Sequence, residues 1–188
     1  MCLLLLTSCS NEGKKQNESK KAGTEYLAKL KAYETREKKS ADDSTANDPD
    51  FEAFLDQVFK EGMEGDYMTL HFSVTDYKKL GLEKPPVDLG ELKYGFDEEN
   101  FSYFEDQLKQ LQSFDFDKLS YRQQYDYEAL EYSLYETLAD MAFYQYNFLF
   151  SEVSCLPENI VSNFTDYTFY DEESVEDYLT CLEDLDRY

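Results

Sequence analysis

His71 is the only imidazole in the chain, and that one fact limits most of the chemistry the residues can perform. A catalytic zinc takes three protein ligands, commonly two or more of them His, so these residues do not supply such a centre by themselves. A Ser or Cys nucleophile needs a base, and His71 would have to be it. No G-x-S-x-G, P-loop, paired C-x-x-C or H-E-x-x-H sequence occurs. His71 therefore reads as a half-buried histidine on a helix face. Glu172, Glu173, Glu176 and Asp177 have the spacing to line one side of a cleft as acid, base or weak cation ligand. They also stand in the first turns of a helix, where carboxylates meet the positive end of the dipole, and that position already accounts for most of them. Asp115-x-Asp117 has the opening of a calcium loop, but Ser120 stands where the loop needs glycine and Asp126 where it needs a bidentate Glu. No EF-hand is expected. The 17 Tyr and 14 Phe, with no Trp, read as core with hydroxyls reaching the rim. Tyr144, Tyr146, Tyr167 and Tyr170 are the ones placed to line a groove, without forming a named site.

Cys9 carries a different chemistry. Met1 to Cys9 reads M-C-L-L-L-L-T-S-C, too short to cross a bilayer, which takes roughly 18 apolar residues. Leu6-Thr7-Ser8-Cys9 resembles the lipobox of bacterial lipoproteins, in which the thiol is alkylated by a diacylglyceryl group and the cysteine becomes the new N-terminus. Ser10 to Asp50 is polar, rich in Lys, Glu, Ser, Asn and Asp, as a tether between a membrane and a domain should be. The resemblance implies lipid attachment at Cys9, a membrane partner, an extracytoplasmic location in the cell envelope, and a basic, apolar leader upstream of Met1. Within the tether, Tyr26, Leu27, Leu30 and Tyr33 fall at helical spacing among Lys29, Lys31 and Arg36. A helix this short is marginal alone, so a transient one is expected rather than one resting on a membrane. Cys155 and Cys181 are expected as free buried thiols.

The elements that must position these residues read as helices. With seven Gly and four Pro, turns are too few for an all-β chain. Asp48-Pro49 opens a helix with Phe51, Phe54, Leu55, Val58 and Phe59 on one stripe, closed by Gly62 and Gly65. A second segment from Asp66 carries Tyr67, Leu70 and His71, and Asp76 caps a short turn ending at Gly81. Leu82 to Gly95, with its paired prolines, is loop, with room for a short extended piece at Val87 to Leu89. Asp97 starts a helix aligning Phe101, Phe104, Leu108 and Leu111. The longest helix opens on a Ser120/Gln123 capping box and turns Leu130, Leu134, Leu138 and Met141 inward. Pro157 begins a short piece. Asp171 caps the last helix, whose Val175, Tyr178, Leu179 and Leu182 predict one buried face and which has no Gly, Pro or Asn to stop it before Tyr188. The expected fold is all-α, an irregular antiparallel assembly of several helices and an incomplete N-terminal part of a larger helical protein. The expected divisions are 1–9 as signal remnant, 10–48 as tether and 49–188 as acidic helical domain.

Charge excludes some partners. The net charge is −23, and residues 1–40 hold nine Lys or Arg against five Asp or Glu, which leaves nine against 36 beyond them. Such a field repels phosphate backbones, so nucleic acid is not an expected partner.

Several ordered segments together resemble a known family. They are Phe51 to Phe59, Asp66 to Phe72, Tyr77 to Gly81, Leu119 to Tyr127 and, above all, Y-T-F-Y-D-E-E-S-V-E-D-Y-L at Tyr167 to Leu179. The pattern over about residues 49–188 is similar to the N-terminal part of the DUF885 proteins, bacterial and often lipoproteins, which resemble helical zinc metallopeptidases. The P-E-N-I-V-S-N-F stretch departs from the family, which is more apolar there. The resemblance implies peptide substrates and a zinc held by a His/Glu signature from beyond Tyr188, with no catalytic or metal-binding residue in this segment. Two functions follow: the scaffold portion of a lipid-anchored metallopeptidase-like protein, or a non-catalytic surface lipoprotein that binds a peptide, sugar or protein partner. A His/Glu motif encoded after codon 188 would favour the first, and a stop codon the second.

Overall fold

A computed structural model describes residues 3–34, 45–90, 95–146 and 156–187, with side chains at 17–33, 45–90, 95–146 and 158–187. Among the described residues the chain is all-α, as expected, with α1 Leu3–Glu34, α2 Pro49–Glu64, α3 Tyr67–Ser73, α4 Glu98–Leu111, α5 Tyr121–Ala142, α6 Leu156–Thr165 and α7 Glu172–Glu183. Short 3-10 turns cover Tyr77–Leu80, Phe116–Lys118, Tyr144–Tyr146 and Asp184–Asp186. No helix among them is long and apolar enough to cross a membrane. The chain divides into two compact units, Met1–Phe51 with Tyr94–Asn147, and Glu52–Lys93 with Phe148–Tyr188. The division falls inside α2, directly after Phe51.

In the first unit, residues 17–33 of the stretch expected as a polar tether pack as part of α1. α1 lies along α5, and α4 packs on α5 as well. Ser19 and Gly23 are buried, with Tyr26, Leu30 and Tyr33 half-buried after them, so spacings of four, three, four and three make one continuous stripe. Leu27 faces outward instead. Gly23 is where the helices come closest: a Cβ there would lie 2.7 Å from a ring carbon of Phe143 and 2.8 Å from the Ala142 Cβ. The Tyr26 ring meets the edge of Phe101 at 6.3 Å and tilts against Tyr135 at 5.9 Å, and its hydroxyl donates to Glu105 at 2.9 Å. Tyr33 sets its ring against Tyr132 and Tyr135 and donates to Glu131. Aromatic packing thus holds this stretch of α1.

The start of α5 is fixed through a buried amide. The expected capping box forms, with the Ser120 hydroxyl accepting from the Gln123 amide and the Gln123 side chain accepting from the Ser120 amide. Gln123 is fully buried, and it also accepts from the Asp48 amide at 2.8 Å and donates to the Asp48 carbonyl at 2.8 Å. That clamps residue 48 where its carboxylate caps α2, accepting from the Asp50 and Phe51 amides. Phe51, fully buried, then meets Phe114 at 5.2 Å and Tyr127 at 6.2 Å. On α5, Leu134 and Leu138 point inward as expected, together with Tyr127, Tyr135, Ala139 and Ala142, while Leu130 and Met141 are half-buried.

In the second unit local capping goes as the sequence predicts. Asp66 accepts from the Thr69 amide at the start of α3, and Asp76 from the Lys79 amide. Gly81 ends that turn at φ 70°, a left-handed conformation that glycine adopts without strain. Residues 82–90 are irregular, without the extended piece considered for Val87 to Leu89. A core of Tyr67, Met68, Tyr167 and Cys181 gathers Val87, Leu89, Phe164 and Tyr178. Cys181 is a free buried thiol, and Cys155 lies outside the described residues.

α7 differs from its sequence reading twice. Its buried side carries Ser174 and Cys181 with Tyr178 half-buried, while Val175, Leu179 and Leu182 are exposed. Small residues win the inward side because Tyr167 packs there: its ring meets Tyr178 at 5.1 Å and its hydroxyl donates to the Ser174 carbonyl at 2.9 Å. The α-helix also stops at Glu183 rather than running on. The Asp184 carboxylate takes the Leu89 amide at 2.9 Å and the Arg187 guanidinium at 2.6 Å, and Arg187 donates to the Gly90 carbonyl. A tertiary tie ends the helix where no stop residue does.

Candidate functional site

The only charged cluster built from distant parts of the second unit surrounds Lys84, among the described residues. Lys84 precedes Pro85, and a residue before proline is biased toward extended backbone. Its ammonium reaches both oxygens of Asp177 at 2.7 Å and Glu173 at 2.9 Å. Lys78, on the short turn after Asp76, reaches the other Glu173 oxygen at 3.1 Å. Glu173 and Asp177 are four apart on α7, so their carboxylates share one flank. The Lys84 ammonium lies 5.8 Å over the Tyr67 ring.

Two tyrosines complete the cluster. The Tyr67 and Tyr167 hydroxyls are 2.6 Å apart, Tyr67 is 3.0 Å from Asp177, and Tyr167 donates to Ser174. Each phenol has one proton, so with Tyr167 committed to the Ser174 carbonyl, the Tyr67 proton serves both Tyr167 and Asp177. His71 stacks on Tyr167 with centroids 3.8 Å apart and planes 10° from parallel. At 7% exposure it is more buried than its sequence position suggests, and its Nε2 has no hydrogen-bond partner.

Burial and neighbouring charges shift several of these groups. Burial raises both phenols, and the hydrogen bond to Tyr167 raises Tyr67 further, so neither is a base. Burial opposes the Lys84 charge, but the hydrogen bonds and charges of Asp177 and Glu173 outweigh it and hold the ammonium above its ordinary range. Hydrogen bonds from Lys84 and Lys78 hold Glu173 below the usual carboxylate range. Burial lowers His71, against the charge of Asp177 and the Thr168 backbone, and keeps the imidazole neutral. Burial and the nearby carboxylates push the Cys181 thiol up to about 11, so it is no nucleophile. A general acid or base works best with a pKa near the operating pH, and Lys84, Glu173 and the two phenols are driven away from it. The adjoining cavity, lined by Tyr67, His71, Lys84, Tyr170, Glu173 and Asp177, holds about 50 Å³. That is room for a few waters, not for a peptide.

Of the carboxylates singled out in the sequence, Glu173 and Asp177 come together on Lys84, whereas Glu172 and Glu176 face solvent. Asp115 pairs with Lys118 at 2.8 Å. Tyr167 is core and Tyr170 borders the cavity, while Tyr144 and Tyr146 belong to the other unit. Cys9 falls within α1, and its side chain lies outside the described ones. Sequence reasoning passed over Lys84; its place before two prolines was the available signal. No group of three His, Cys, Asp or Glu suited to a metal ion occurs among the described residues.

His71 gives a pH prediction. The unfolded imidazole takes up its proton near pH 6.5, while the folded one resists until lower pH, so below about pH 6.5 the unfolded state binds more protons. Stability should therefore fall as pH drops through that region, by up to about 1.4 kcal/mol per pH unit. Urea midpoints of wild type and His71→Phe between about pH 7.5 and about pH 5 isolate the effect from the carboxylates. A wild-type loss no steeper than that of the variant would remove this account. Comparison with protein families, curated proteins and solved structures gives no match.

Proposed function

We propose that these residues form the helical scaffold portion of an exported, metallopeptidase-like protein held to the envelope membrane by a lipid on Cys9, without a competent catalytic centre of their own. The observation that carries the scaffold reading is the Lys84 cluster. Its charges neutralise one another and its phenols are locked as donors, which is what a structural tie requires and the opposite of what a reacting group requires. Zinc and peptide chemistry would come from His and Glu residues outside this chain. The second reading, a non-catalytic lipoprotein that binds a partner, draws on the apolar residues exposed along α7.

Two or three acyl chains, at roughly 0.8 kcal/mol per buried methylene, anchor a protein durably. The chain expressed behind a lipoprotein leader should therefore sediment with membranes, and Cys9→Ala should move it to the soluble fraction. Equal distribution of the two removes the anchor. Dialysed purified protein should retain no stoichiometric zinc, and tight zinc would overturn the scaffold reading.

A further inference from the structure

Placing successive residues about 100° apart around the axis divides α7 into four sectors. Ser174, Tyr178 and Cys181 make the inward one, with Cys181 fully buried. Glu173 and Asp177 lie on one flank, held by Lys78 and Lys84. On the other flank Val175, Leu179 and Leu182 follow at spacings of four and three, exposed by 42%, 51% and 42%. Next to them stand Glu172, Glu176 and Glu183, all exposed and without an ion pair among the described residues. Single exposed apolar side chains are ordinary on a protein surface. Three in register, bordered by an unpaired carboxylate ridge, make the pattern on which an amphipathic helix lays its own apolar positions.

We propose that this face of α7 docks a basic amphipathic helix of another protein, with apolar residues on Val175, Leu179 and Leu182 and Lys or Arg opposite Glu172, Glu176 and Glu183. Charge selects that occupant. A second copy of a chain of net charge −23 is repelled. The basic helix this chain does possess, α1, has its aromatic side occupied on α5. The carboxylate ridge then steers the approach, and burial of the stripe supplies the affinity. This surface stands apart from the scaffold reading, since it needs neither the lipid nor a metal.

The test is fluorescence anisotropy of the whole 188-residue chain with a labelled Leu/Lys peptide whose leucines recur at helical spacing. A scrambled peptide of the same composition is the control. At about 0.15 M salt, where distant charges are screened, the periodic peptide should bind about tenfold or more tightly than the scramble. Val175→Ser with Leu179→Ser should weaken it by about tenfold or more. Both residues are exposed, so the urea midpoint should stay unchanged. Glu176→Gln with Glu183→Gln should flatten the salt dependence. Equal binding of the two peptides, affinity unmoved by the serine substitutions, or a concentration-dependent dimer that Leu179→Ser dissolves would each overturn the proposal.

Discussion

Asp177→Ala should destabilise the protein by about 2–4 kcal/mol, because it leaves the Lys84 ammonium half-buried without its closest partner and removes an acceptor of the Tyr67 hydroxyl. The two side chains are only 21% and 14% exposed, so water cannot fully replace the lost contact. Glu173 still holds Lys84 at 2.9 Å, which keeps the loss below that of a fully buried orphan charge. The reverse comparison is as informative. Lys84→Met with Asp177→Leu removes both charges and fills the space with apolar atoms, and such replacements are often nearly neutral. The double variant should therefore be more stable than Asp177→Ala, with a coupling of about 1–3 kcal/mol between the two positions. Urea unfolding measures all of these. A single-variant loss under about 0.5 kcal/mol, the size of an exposed surface pair, would show that the cluster is not a structural tie.

Gly23→Ala separates a packed α1 from a solvated tether by the sign of its effect. In an isolated helix the change gains about 1 kcal/mol from propensity alone. Against α5 the new Cβ would sit 2.7 Å from Phe143 and 2.8 Å from Ala142, where carbon atoms prefer about 3.5–4.0 Å. The Phe143 ring can turn aside. Ala142 is fully buried and its Cβ cannot. Overpacking typically costs about 1–3 kcal/mol, so Gly23→Ala should be neutral to destabilising, and Gly23→Leu should lose about 3 kcal/mol as α1 is driven off α5. A stabilising Ala variant, together with unchanged protease resistance of residues 17–33 in the Leu variant, would return the segment to a tether.

The features legible in the sequence are the ones set within a few residues. Asp66, Asp76, Asp97 and Asp171 each accept from an amide three residues on, and Ser120 with Gln123 closes its box. Such contacts depend on spacing, so a string of letters contains them. Ser19 and Gly23 carry no apolar signature, so their stretch of α1 reads as polar from sequence. They continue the Tyr26, Leu30 and Tyr33 stripe by being small, and smallness counts only once a second helix is there to approach. For His71 the helix face was legible, whereas the stacked Tyr167, nearly a hundred residues away, was not.

The sequence by itself determined that this chain is helical, where most helices begin, and that its body is strongly acidic, since propensity, capping and charge are properties of neighbouring residues. Tertiary structure alone decided which side of α7 is covered, where that helix stops, which two of four carboxylates meet Lys84, and that the chain divides within α2. On α7 two stripes compete for the inward side, and periodicity ranks them by apolarity, which favours Val175, Leu179 and Leu182. Packing ranks them by fit, and Ser174 and Cys181 let Tyr167 approach closely enough to bury its ring and satisfy its hydroxyl.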